Sequence, residues 1–134
     1  MDKITLFIPY PADKKAKTKF CRNYGLNAYY AGKAWQIRKR DAEHWHKLTW
    51  YAITQATGYT PKLFDKPVTV RFYWADGLDI DNHAVMGKMI VDGMKDLLLK
   101  DDTKKYVRSV QHYFRDDYFS NVENDCIIVE VAEV

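Results

Sequence analysis

The chain of 134 residues is 47% hydrophobic, 29% charged and 15% aromatic, with a formal net charge of +3. That is enough apolar material to build one core, which excludes a disordered chain, and a single domain is expected. No stretch approaches the roughly 20 apolar residues that a membrane-spanning helix needs, and the first ten residues, with an acid at Asp2, lack the apolar run of a secretory signal.

In chain order, Ile4, Leu6 and Ile8 alternate with Thr5 and Phe7, which predicts a strand ended by Pro9 and Pro11. Residues 12–33 read as irregular: a lysine run, then Asn23, Gly25, Asn27 and Gly32 as turn formers. Residues 34–57 hold neither Pro nor Gly, and Trp35, Ala42, Trp45, Leu48, Ala52 and Ile53 recur mostly at helical spacing. This predicts an amphipathic helix, with Trp35 on its core side, stopped by Gly58 and Pro61. A strand is expected over 68–74, where Val68, Val70 and Phe72 alternate with Thr69, Arg71 and Tyr73.

A second helix is expected over 82–98, from Ala84, Val85, Lys88, Ile90, Val91, Met94, Leu97 and Leu98, with Asp81 or Asn82 as its N-cap. Strands follow over 105–114 and 126–131. The order β-α-β-α-β-β predicts an α+β domain, a mixed sheet packed with two main helices, in which the last two strands pair antiparallel. Cys21 and Cys126 are too few and too far apart for a disulfide framework or a zinc cluster, which fits a cytoplasmic protein.

The charge is unevenly placed. Residues 1–48 hold 11 basic and 4 acidic side chains, whereas 49–134 hold 10 basic and 14 acidic. Residues 14–40 carry nine cations and no acid: Lys14, Lys15, Lys17, Lys19, Arg22, Lys33, Arg38, Lys39 and Arg40. Such a segment is either a solvated basic face or a surface for a polyanion.

Chemistry concentrates in Asp79-Ile80-Asp81-Asn82, between a strand and a helix. In an extended backbone, residues i and i+2 point to one side, so Asp79 and Asp81 would present two carboxylates together. Like charges held close are costly unless a cation sits between them, and oxygen donors open to water suit Mg²⁺. The alternative is capping and turn chemistry. Asp102 would return to this site if the strand after it lies beside 68–74. Lys88 is seven residues past Asp81, two helical turns on the same side, with a rise of about 10 Å. There it would hold a phosphate or, alternatively, pair on the helix surface with Asp92 at i+4. His44 and His46 are two apart on a helix and make a poor metal pair, and His83 and His112 have no evident partner in the sequence. Gly-rich phosphate loops, nucleophile elbows and C-x-x-C pairs are absent.

Taken together, Asp79-Ile80-Asp81-Asn82, the helix with Lys88 and Val91-Asp92-Gly93-Met94, and Asp101-Asp102 resemble the RusA family of Holliday-junction resolvases. Pro9-Tyr10-Pro11 looks like the family's opening. Leu26-Asn27-Ala28-Tyr29-Tyr30, followed by Trp35, Arg38, Lys39 and Arg40, is similar to the basic-aromatic segment of its phage-type members. The resemblance covers essentially the whole chain. It implies a homodimeric, Mg²⁺-dependent endonuclease that cuts two opposed strands of a four-way DNA junction, in a prophage recombination setting. It makes Asp79, Asp81 and Asp102 the metal-binding aspartates and Lys88 the essential lysine. The nine cations of 14–40 would neutralise DNA phosphates, with Tyr29 and Tyr30 among the aromatics that stack on exposed bases. A non-catalytic binder of branched or single-stranded DNA is the reading from another class.

Overall fold

A computed structural model describes residues 2–60 and 62–134. Met1 and Pro61, the latter expected to help stop the long helix, lie outside them. β1 (Lys3–Pro9) buries Ile4, Leu6 and Ile8 and turns Phe7 outward, as its alternation predicts. β2 (Val68–Trp74) has the predicted bounds. β3 (Val107–Phe114) and β4 (Cys126–Glu133) complete one four-stranded mixed sheet of order β1-β4-β2-β3.

The expected antiparallel pairing of the last two strands does not form. β4 pairs antiparallel with both β1 and β2, and β3 pairs parallel with β2. Burial explains the exchange. Cys126 to Val131 are buried on both faces, which only an inner position provides. β3 alternates partly buried with exposed residues and leaves Val110 and Phe114 open, which suits an edge. Its parallel partner is reached over a helical crossover, the connection that parallel pairs require.

The segment 12–33, expected to be irregular, folds as α1 (Lys14–Tyr24) and α2 (Leu26–Tyr30). Asp13 caps α1, its carboxylate accepting from the Ala16 N–H at 2.9 Å. Phe20, Cys21 and Tyr24 then pack inward, with Phe20 and Tyr24 against Trp45. α3 (Trp35–Thr57) matches its prediction and buries Trp45, Thr49, Ala52 and Ile53 against β1 and the helix after β2. Gly58, at φ +69°, closes α3 in the left-handed conformation that glycine adopts without strain.

The helix predicted over 82–98 is shorter. A 3₁₀ turn, Ile80–His83, leads into α4 (Ala84–Gly93). A turn through Asp96 then brings Leu98 and Leu99 into the core, and the Leu98 carbonyl accepts from Phe64 N–H at 2.8 Å. The far face of the sheet carries a smaller cluster of Tyr73, Cys126 and Ile128, covered by Phe119 and Val122. Arg115 holds that covering loop by donating to the carbonyls of Val122, Asn124 and Cys126. Among the described residues, no helix is long and apolar enough to cross a membrane.

Candidate active-site groove

The loop after β2 is pinned from below. Asp76 accepts from the Tyr10 hydroxyl at 2.7 Å, from Leu78 N–H at 3.0 Å and from His83 Nε2 at 2.7 Å. His83 Nδ1 lies 3.0 Å from the Ile80 carbonyl. Both ring nitrogens thus face acceptors, the Ile80 carbonyl and the Asp76 carboxylate. The pair is sealed, with side-chain exposures of 0% for His83 and 1% for Asp76. Burial pushes the Asp76 carboxyl up, but the bonds from His83 and Tyr10 outweigh it and hold it below the usual value.

Trp74 stacks on His83 at 4.4 Å and donates through Nε1 to His112 Nδ1 at 3.0 Å. Burial, aided by the His83 charge, pushes the His112 pKa down, so this ring is neutral. The two histidines without an evident partner in the sequence are thus joined through one tryptophan. A Cβ on Gly87 would stand 2.9 Å from His112 Cε1, so glycine lets α4 approach β3 closely here.

His112 lines a cavity of about 250 Å³ between α4 and β3, together with Gly87, Lys88, Asp92 and Asp102. Asp92 and Asp102 adjoin in this cavity. Burial and the Asp102 carboxylate push the Asp92 carboxyl up, while the bond from Asp92 and the nearby Lys95 hold Asp102 down. Lys95 Nζ is 3.4 Å from Asp102, and Lys88 Nζ is 3.6 Å from Asp92. The Lys88 side chain is 73% exposed, free to swing from this surface pair toward a ligand.

Asp79 and Asp81 lie elsewhere. Both are exposed at the N-terminal end of α4, whose ten residues span about 15 Å. The extended backbone from which the same-side presentation was expected stops at Asp79, and the 3₁₀ turn begins at Ile80. The expected caps also fail: Asp79 and His83 hold the cap positions without side-chain bonds, and Asn82 Oδ1 accepts from Asn27 N–H at 3.2 Å. β3 does run beside β2, yet being parallel it brings Asp102 to the end of the sheet opposite the loop of Asp79 and Asp81. Among the described residues, no group of three His, Cys, Asp or Glu side chains is placed to hold a metal ion.

The basic segment divides in two. Lys14, Lys15, Lys19 and Arg22 on α1 and Arg38, Lys39 and Arg40 on α3 are exposed. Lys17 is committed to the Ala75 carbonyl and Asp125, and Lys33 to the Asn23 carbonyl and Asp41. Tyr29 donates to Asp41 at 2.7 Å, whereas Tyr30 is 80% exposed. Trp35, expected in the core, is 62% exposed because it opens α3 before the helix meets the sheet.

Asp76, Asp92 and His112 went unassigned by sequence reasoning. Asp92 stood out only as a surface partner for Lys88, and His112 had only its place in an alternating strand. The chain matches no family model, no curated protein and no solved structure in comparison.

Proposed function

We propose that the protein is a Mg²⁺-dependent endodeoxyribonuclease acting on four-way DNA junctions, as its resemblance to the RusA resolvases implies. The observation that carries this reading is the cavity in which Lys88 and His112 flank the Asp92–Asp102 pair. Mg²⁺ commonly takes one or two carboxylates and fills its remaining positions with water and substrate phosphate oxygens. Two adjoining carboxylates, open to solvent, fit that demand without a third. Bound there, the ion would supply an acidified water and offset charge on the phosphate.

The chain's own groups do the rest. Lys88 leaves Asp92 to hold a phosphate oxygen, where it offsets the charge that develops during attack. His112, held through Nδ1 by Trp74, lines the same cavity as a neutral ring. The exposed cations of α1 and α3 neutralise backbone phosphates. A homodimer would match the twofold arrangement of two cut strands.

The test is cleavage of four-way junctions, linear duplex and single strands, with and without Mg²⁺. Selective, Mg²⁺-dependent cutting of the junction supports the proposal. Tight binding with no metal-dependent cutting favours the non-catalytic binder. Lys88→Ala is expected to slow cleavage about 100-fold, while its stability changes by only a few tenths of a kcal/mol, the usual worth of an i,i+4 pair. A fully active Lys88→Ala protein would leave Lys88 as a surface partner of Asp92. Replacing Arg38, Lys39 and Arg40 with Ala is expected to weaken binding to every DNA form and flatten the salt dependence by up to about three units. An unchanged salt slope would turn that face away from DNA.

A further inference from the structure

A second and larger groove, about 520 Å³, lies between the α1–α2 corner and the loop after β2. Its floor is apolar, made by Cys21, Ala28, Ala75 and Leu78. Burial, with the Asp76 charge beyond, pushes the Cys21 thiol up to about 12, so it stays neutral and adds to that floor. Asn27 and Asn82 stand at the rim. Asn82 Oδ1 is engaged by Asn27 N–H, while the Asn82 amide NH₂ makes no hydrogen bond among the described residues. Lys14 and Arg22 flank the opening, exposed and in no ion pair among the described residues. The groove's one carboxylate, Asp76, is spent on Tyr10 and His83.

An apolar slot of this size, with amides at its lip and two free cations outside, has the chemistry of a nucleotide site. The base edge meets donors and acceptors, its faces meet apolar surface, and its phosphate meets charge. We infer that this groove takes one unstacked nucleotide of a DNA strand, the base on the Cys21–Ala28–Leu78 floor and the phosphate on Lys14 and Arg22. This rests on the nuclease reading for its choice of DNA, and it adds a specificity site that the cleavage chemistry does not use. A branch point offers the bases that cost least to unstack.

The probe is a four-way junction carrying 2-aminopurine at the branch point, whose fluorescence rises when the base leaves the stack. It is titrated with the full chain in the absence of Mg²⁺, beside a duplex with the same label in its interior. A several-fold rise with the junction, and little with the duplex, is expected. Ala28→Phe fills the slot from a half-buried helix position. It is expected to abolish the rise and weaken junction binding about tenfold, with duplex binding unchanged. The exposed double change Lys14→Ala and Arg22→Ala, which leaves the interior untouched, is expected to reduce the rise as well. If the wild type binds and cuts the junction but shows no rise, or if the rise survives in Ala28→Phe, the groove is not a nucleotide site and the nuclease reading stands. If the wild type binds no DNA, both fall.

Discussion

Asp102→Asn is expected to reduce junction cleavage by about a hundred- to a thousand-fold, the usual cost of removing one electrostatic contributor from a reacting site, while junction binding is kept. Asp92→Asn is the sharper comparison. Burial and the neighbouring Asp102 carboxylate raise the Asp92 carboxyl. An amide removes the repulsion between the two carboxylates at nearly the same shape, so Asp92→Asn should leave the melting temperature unchanged or slightly raised. It should nevertheless lose cleavage as severely as Asp102→Asn, because one of the two oxygen donors for Mg²⁺ has become neutral. The resemblance assigns metal binding to Asp79 and Asp81 instead, and Asp79→Asn and Asp81→Asn tested alongside separate the two sets. A fully active Asp92→Asn protein would move the metal site away from the cavity. Junction-cleavage rates, with binding measured in parallel, decide it.

The largest effect on stability is expected from Asp76→Ala. It leaves the His83 ring and the Tyr10 hydroxyl without their acceptor in a site closed to water, and each buried polar group so stranded costs about 1–3 kcal/mol. Against a total of about 5–15 kcal/mol for a domain, much of the protein would unfold under mild denaturant. Changing both partners, Asp76→Asn with His83→Gln, replaces them with neutral amides that can pair with each other and should recover most of the loss. Urea melts of the three proteins measure this. A single-variant cost below about 1 kcal/mol would show that the pair is not the clamp described. The sign with pH follows from the lowered Asp76 carboxyl. Its contribution is complete above the ordinary carboxylate value of about 4 and is lost as the pH falls through its lower folded value.

What the amino-acid sequence determined by itself is local. The period-2 pattern of Ile4, Leu6 and Ile8 and of Val68, Val70 and Phe72 is a property of neighbouring residues, and β1 and β2 follow it. The 3.6-residue pattern of α3, and Gly58 at its end, are local in the same sense. α1 was legible in principle, from Ala16, Phe20, Cys21 and Tyr24 behind an Asp13 cap, but the lysines between them hid the apolar stripe. The α+β class and the mixed sheet followed from the order of elements.

Only the tertiary structure decided the rest. Strand order turned on which strand is buried on both faces, and β4 took the inner place that chain order assigned to neither C-terminal strand. Lys17 and Lys33 look like Lys14 and Lys15 in the sequence, yet carbonyls and carboxylates distant in the chain hold the first two and leave the others to solvent. Asp102 was named without its partner, because its neighbour Asp92 is set by the turn after α4 and the crossing to β3. Asp76 and His83, seven residues apart, became a buried hydrogen-bonded pair through a 3₁₀ turn that ended the extended backbone at Asp79. The physical reason is common to all four. Periodicity records which face of an element is apolar, whereas ionic and hydrogen-bonding partners depend on which elements meet, and burial across the whole chain settles that.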